Sequence, residues 1–290
     1  MEVRINEPMT KHTSFRAGGA ARWFAVPETV EELTYVLGAC KKAGAPWYVL
    51  GNGSNLLVSD KGFPGVIISM DRFDRLEVNG TEITVGAGVI LSRLANTAYK
   101  AGLTGLEFAA GIPGTVGGAC VMNAGAYGSE MKQILKTVTV LTPEGSVETL
   151  PAEELELGYR TSVIPKRGYL VLKAVVSLAE GKLEEIKSVM DDLAFRRKDK
   201  QPLEFPSAGS TFKRQEGHFA GKLIEDCGLK GFSVGGAQVS EKHAGFVINK
   251  GGATATDIYK LCQEVEKRVK AEFGVSLEME VKLLGEFEEE

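Results

Sequence analysis

Apolar positions along this chain recur with two periods. Val30, Leu33, Val36, Leu37 and Cys40 follow helical spacing up to Gly44, and Thr29 with Glu32 has capping-box spacing. The same period returns in Ile90, Leu91, Leu94, Ala95 and Ala98, ending near Gly102. It returns again in Leu183, Ile186, Val189, Met190 and Leu193, reaching Arg196, and in a short helix at 219–227 stopped by Gly228. Ile258, Leu261, Val265 and Val269 place a last helix over 257–273, with Thr256 as its expected N-cap. Apolar runs of strand length fall at 21–27, 47–50, 62–70, 83–85, 169–178, 232–239, 245–249 and 277–284. Pro143-Glu144-Gly145 between 136–141 and 146–150 reads as a hairpin. Strands and helices do not alternate as a regular βαβ succession, so the expected class is α+β with mixed sheets.

Glycine adds the next layer. The 35 glycines are about 12% of the chain against an average near 7%, and they cluster in particular loops. The densest stretch runs from Ala110 to Met131, with six glycines between Gly111 and Gly128. Successive N–H groups in such a stretch can form a concave nest for an anion such as a diphosphate, and tight turns alone explain it equally well. Two Gly-x-Gly runs follow strands, at Gly51-Asn52-Gly53 and Gly86-Ala87-Gly88. Their sixth positions are Leu56 and Leu91, where close helix packing needs Gly or Ala, so neither is a Rossmann fingerprint.

Length and composition narrow the class. A chain of 290 residues with 43% hydrophobic content holds more than one typical domain and a real core. A net charge of −4 and a pI near 5.7 give no electrostatic footprint for nucleic acid. Part of that charge sits in the tail at 286–290, read as a solvated end. Cys40, Cys120, Cys227 and Cys262 lack CxxC spacing, and His12, His218 and His243 are scattered, so no metal site is expected. Without an N-terminal apolar leader or a run of about 18 apolar residues, a soluble cytoplasmic protein is expected.

Candidate chemistry lies in five places. Gly51, Asn52, Gly53, Ser54 and Asn55 offer amides and side chains to phosphate oxygens, or form a polar turn. Asn123 and Tyr127 suit a planar ligand, or cover the sheet. Arg160 can clamp a carboxylate, or make a surface ion pair. Ser210 has small neighbours, Ala208 and Gly209, that leave room for a substrate, or it caps a turn. No GxSxG elbow accompanies it, which argues against a hydrolase. Glu280 shares a strand face with Glu278, either as a working carboxylate or as a solvated residue. Arg196, Arg197, Lys198 and Lys200 are a further basic run, in a segment read as a linker or domain boundary over 196–209.

The order of motifs HTSFRAGGAARWFAVP, LGNGSNLLVSD, GLEFAAGIPGTVGGACVMNAGAYGSEM, LGYRTSVIP, PSAGSTFK, VGGAQVSEKHAGFVIN and LEMEVKLLG resembles the UDP-N-acetylenolpyruvoylglucosamine reductases nearly end to end. The resemblance implies a two-part FAD-binding unit of the vanillyl-alcohol-oxidase type plus a C-terminal α/β substrate domain. These would span 1–65 and 66–198 for FAD and 199–276 for substrate, with 277–290 open to return to the second part. It implies non-covalent FAD, NADPH as electron donor and UDP-N-acetylglucosamine enolpyruvate as substrate. It also implies a monomer with no nucleic-acid or membrane partner. The implied FAD contacts are Gly51, Asn52, Gly53, Ser54, Asn55, Leu56, Ile112, Pro113, Gly114, Gly117, Gly118, Asn123, Gly125 and Ala126. Ser210 would be the proton donor, with Arg160 and Glu280 stabilising the enolic carboxylate. Arg196, Lys200, Arg214 and His243 would complete the substrate contacts. Arg160 and Ser210 are 50 positions apart, which leaves no room for the tyrosine-bearing insert of longer relatives. Arg214 and His243 also depart from residues found in other members. An FAD-dependent hydroxy-acid oxidase or dehydrogenase of the same fold is the competing expectation.

Overall fold

The computed structural model describes every residue except Glu216, Glu289 and Glu290. Those last two residues of the acidic tail therefore lie outside the described residues. The architecture is α+β, and the chain divides into two compact units. The first comprises Met1–Val3, Ala25–Asn52 and Ile67–Arg197; the second comprises Arg4–Phe24, Gly53–Val66 and Lys198–Glu290.

In the first unit an antiparallel sheet runs in the order Val147–Pro151, Leu135–Leu141, Leu170–Ser177, Glu82–Gly86, Leu76–Asn79. Val138 pairs with Ala174, which pairs with Val85, and all three are buried. The expected hairpin is its edge, with Val140 opposite Glu148. Val30–Ala43 forms as expected: Thr29 Oγ1 accepts from Glu32 N, Leu33, Val36 and Cys40 are buried, and left-handed Gly44 ends it.

Two expectations in this unit need correction. The glycine-rich stretch contains a helix, Val116–Met122, N-capped by Thr115. It packs against the sheet strand Leu170–Ser177. At the near end, Gly117 N donates to Ala87 O at 2.8 Å, and a Cβ at 117 would stand only 3.0 Å from Ala87 Cβ. The helix expected to reach Arg196 continues to Lys200, so the first residues of the segment expected to be a linker or domain boundary are helical, and the division between the two units falls between Arg197 and Lys198. The charged C-terminal turns of this helix, Leu183–Lys200, are good helix formers that need no apolar stripe.

In the second unit, Ser233–Val234, Ala237–Val239 and Val247–Asn249 form a small antiparallel sheet. The helix Ala255–Phe273 covers it with Ile258, Leu261, Cys262, Val265 and Val269, all buried. Each of the aliphatic side chains stabilises by roughly 1.5–3 kcal/mol. Thr254, not Thr256, is its N-cap: Thr254 Oγ1 accepts from Asp257 N and Asp257 Oδ2 accepts from Thr254 N, both at 3.0 Å. Thr256 N and Oγ1 instead donate to Asp60 Oδ2 at 2.8 and 2.6 Å. The final strand is Lys282–Leu284, shorter than expected, and runs parallel to Leu56–Val58. Upstream of it only a bridge forms, Phe212 opposite Met279.

Candidate active site

Within the first unit the glycine-rich stretch is fixed from several sides. Asn52 Nδ2 donates to Pro113 O at 2.6 Å. A Cβ on Gly51 would stand 2.4 Å from Thr115 Oγ1, so the 51–52 turn lies directly on the start of the stretch. Gly114 O accepts from Leu91 N, and Ile112 and Gly114 remain partly open while Pro113 is exposed. Gly118 is exposed, and nothing but Thr115 lies within 4 Å of its missing side chain. Gly125–Ala126 pairs with Ser129–Glu130 across Tyr127 and Gly128, both with positive φ (55° and 88°). That is the signature of a two-residue type I′ turn, and it leaves the Tyr127 side chain exposed.

Arg160 belongs to the same unit. Its backbone is left-handed, φ 53°, an uncommon state for a non-glycine residue. Its Nη2 donates to Gly125 O at 3.1 Å, and its guanidinium lies over the Tyr159 ring at 5.3 Å. Asn123 supports this loop. The residue is fully buried; its Nδ2 donates to Gly158 O at 3.0 Å and its Oδ1 accepts from Lys132 N at 2.9 Å. The structure thus places Asn123 as a tie beneath the Arg160 loop, with its amide turned to the backbone.

In the second unit Gly53 is left-handed, φ 58°, and a Cβ there would meet His12 O at 1.9 Å. The consecutive backbone N–H groups of Gly53, Ser54 and Asn55 have no backbone acceptor among the described residues. Leu56 is buried at the start of its strand. Ser210 follows left-handed Gly209 and is exposed. Its neighbour Thr211 is fully buried and spends every polar group. Thr211 N donates to Gly245 O, its Oγ1 accepts from Val247 N at 2.9 Å, and its carbonyl accepts from Glu280 N at 2.8 Å. Ser210 and Glu280 are therefore carried on facing segments of one bridge.

The remaining candidates are less uniform. His243 is partly buried, its Nδ1 accepts from Gly245 N at 3.1 Å, and its ring packs edge-on against Phe246. Burial holds its pKa below the ordinary value of 6.5, so the imidazole is neutral at pH 7. Arg214 is exposed with its guanidinium 4.8 Å from the Phe219 ring centre. Arg196 pairs with Asp192 at 2.8 Å on the helix surface, and Lys200 is exposed at the helix end. Thr115 was not among the candidates read from the sequence; Asn52 and Arg197 were, but not as a tie to Pro113 and as the inward-facing cation of its run. Only Thr115 had a visible signal, a threonine three positions before Gly118.

Comparison with known proteins gives the family of the chain. A family model described as an FAD binding domain matches residues 21–151. A second, described as the C-terminal domain of UDP-N-acetylenolpyruvoylglucosamine reductase, matches residues 201–284. The class defined by the two is an FAD-binding enzyme with a reductase C-terminal domain. A UDP-N-acetylenolpyruvoylglucosamine reductase of Clostridioides difficile is 53% identical over 98% of this chain and 94% of the relative. That of Alkaliphilus metalliredigens is 52% identical over the same shares. The crystal structure of the Thermus caldophilus enzyme superposes with a TM-score of 0.83 at 38% identity, covering 98% of each chain. The chain belongs to the UDP-N-acetylenolpyruvoylglucosamine reductase family. Among the described residues no helix is long and apolar enough to cross a membrane.

Proposed function

We propose that this chain reduces UDP-N-acetylglucosamine enolpyruvate to UDP-N-acetylmuramate with electrons from NADPH, and that Ser210, Arg160 and Glu280 act on the substrate. The observation that carries the assignment is the bridge that holds Ser210 and Glu280 on facing segments through buried Thr211. The residues present fit FAD. Three successive unpaired amides at Gly53–Asn55 form an anion nest suited to a diphosphate, and the open face at Gly118 leaves space that a side chain would fill. When bound, FAD would supply the hydride chemistry between NADPH and the enolpyruvyl group.

The protein's part is binding, orientation and proton delivery. As hydride adds to the terminal carbon, negative charge grows on the carboxylate end of the former enolpyruvyl group. A guanidinium held by Gly125 O before the substrate arrives stabilises that charge without further reorganisation. Ser210 Oγ donates the proton to the carbon beside the carboxylate, and solvent returns it. Glu280 assists from the facing segment. Such a reaction belongs to peptidoglycan precursor synthesis. It is consistent with a cytoplasmic monomer acting on small molecules, and the net charge of −4 gives no support for a nucleic-acid partner. The family relationship favours this reading over a hydroxy-acid oxidase.

The test separates the two half-reactions. Purified protein should be yellow, should bleach with NADPH and should recover colour with the enolpyruvyl sugar nucleotide. Ser210→Ala should bleach normally and recover about 100- to 10,000-fold more slowly. A protein that takes up no flavin would sink the whole reading. Unchanged recovery in the variant would remove Ser210 as proton donor.

A further inference from the structure

Arg197 is the residue whose setting nothing above explains. It lies in the last turn of Leu183–Lys200, where cations favour the helix dipole. That role needs no burial, and Arg196, Lys198 and Lys200 serve it from the surface. Arg197 alone of the four is turned inward and partly buried. It lies flat against the glycine-rich stretch: a Cβ on Gly111 would stand 2.9 Å from its Nη1 and 3.1 Å from its Cδ. Among the described residues no carboxylate pairs with its guanidinium and no acceptor takes its N–H groups, whereas Arg196 beside it has Asp192. Burial lowers its pKa from the ordinary value, opposed only by the Tyr127 phenol. A partly desolvated guanidinium with five donors and no partner is costly unless an anion completes it.

The surroundings indicate what kind of anion. Tyr127 stands beside Arg197 and is 46% exposed. It also lines a cavity of about 390 Å³ with Phe108, Ile134, Val189 and Leu193 and the polar Ser129 and Gln133. The one carboxylate at that cavity, Glu107, is already held by Thr104 Oγ1 at 2.6 Å and Gly105 N at 2.8 Å. A planar apolar group next to an oxyanion matches this pairing, and that combination is the make-up of a nucleotide. We propose that Arg197, lying over Gly111, binds a phosphate oxyanion of a bound nucleotide. The proposal rests on the reductase reading for its choice of ligands, and two sources share the chemistry: the FAD diphosphate and the phosphates of NADPH or the UDP-sugar.

The experiment uses Arg197→Met and Gly111→Ala. The three atoms nearest the added methyl of Gly111→Ala all belong to the flexible side chain of Arg197, so the substitution displaces the guanidinium while keeping its charge. Flavin-stripped protein is titrated with FAD by fluorescence quenching. KM values for NADPH and for the enolpyruvyl sugar nucleotide are then measured on reconstituted enzyme. Loss of a charged hydrogen bond should weaken one ligand by about tenfold or more. Gly111→Ala should move the same ligand in the same direction. Weaker FAD binding assigns the cofactor diphosphate; raised KM with FAD affinity intact assigns the substrate side. If all three ligands bind both variants within twofold of wild type, or if the two variants affect different ligands, the proposal is overturned. Should Arg197→Met fail to fold, Gly111→Ala carries the test alone. A wild-type protein that binds no FAD and turns over no substrate would instead count against the reductase reading.

Discussion

Asn55 Nδ2 donates to the main-chain carbonyl of Glu280 at 3.2 Å, and Asn55 O accepts from Lys282 N at 3.0 Å. With Glu280 N bonded to Thr211 O, the backbone of the proposed active-site carboxylate is gripped on both sides. The loop proposed to offer its amides to a diphosphate is therefore also the loop that sets Glu280. Asn55→Ala removes one grip, a neutral hydrogen bond contributing about 1 kcal/mol. The expected result is about fivefold slower substrate reduction, with flavin bleaching by NADPH within twofold of wild type. Stopped-flow absorbance of the two half-reactions checks it.

Gly53 carries the sharpest backbone constraint near the site. Its φ of 58° and the carbonyl of His12 at 1.9 Å from a Cβ leave no room for alanine, and the obstacle is backbone. Gly53→Ala should destabilise by about 3 kcal/mol or more. Gly38, inside the helix Val30–Ala43 with nothing within 4 Å of its missing Cβ, is the control. Gly38→Ala should stabilise by about 0.5–1 kcal/mol. Urea denaturation of both variants reads the contrast.

What could be read in the sequence follows from how much each element depends on its own side chains. The helix Ala255–Phe273 announced itself because Ile258, Leu261, Val265 and Val269 repeat at helical spacing and are all buried. The strand Glu2–Pro8 did not, because its residues are mostly exposed and carry no alternation. Val116–Met122 was hidden by Gly117 and Gly118, poor helix formers, and exists because Gly117 lies against Ala87. The apolar stripe of Leu183–Lys200 ends before the helix does, so its period predicts a shorter helix. At the site, residue types were legible and their ties were not. Nothing in the chain relates Asn55 to Glu280, 225 positions away, or shows that only Arg197 of four cations turns inward.

His243 makes stability depend on pH in one direction. Burial lowers its folded pKa, with Lys230 acting the same way and Glu225 opposing. The unfolded chain therefore binds the proton more tightly. Well above pH 6.5 the ring is neutral in both states and contributes no slope. As pH falls below 6.5 the unfolded state gains the proton first, and stability is lost until the folded pKa is passed. His243→Gln removes this dependence. Urea midpoints from pH 8 to pH 5 should fall more steeply for wild type than for the variant, with the difference confined to the range below 6.5.

Asn123 and Arg160 should act as one unit. Asn123 holds Gly158 O, two residues before Arg160, and Arg160 reaches back to Gly125 O, two residues after Asn123. Removing the Asn123 carboxamide leaves Lys132 N without its acceptor and Gly158 O with only the bond from Thr161 N at 3.3 Å, in a partly buried setting, which costs about 1 kcal/mol. It also frees a loop in which Arg160 is held at left-handed φ. The expected consequence for Asn123→Ala is a substrate half-reaction slowed about tenfold. Arg160→Ala should slow it about 100-fold or more, because it removes a positioned cation where charge develops. In the double variant the Asn123 substitution should add nothing further, since its effect passes through the arginine. Full additivity in that cycle would show that Asn123 acts on the reaction by another route.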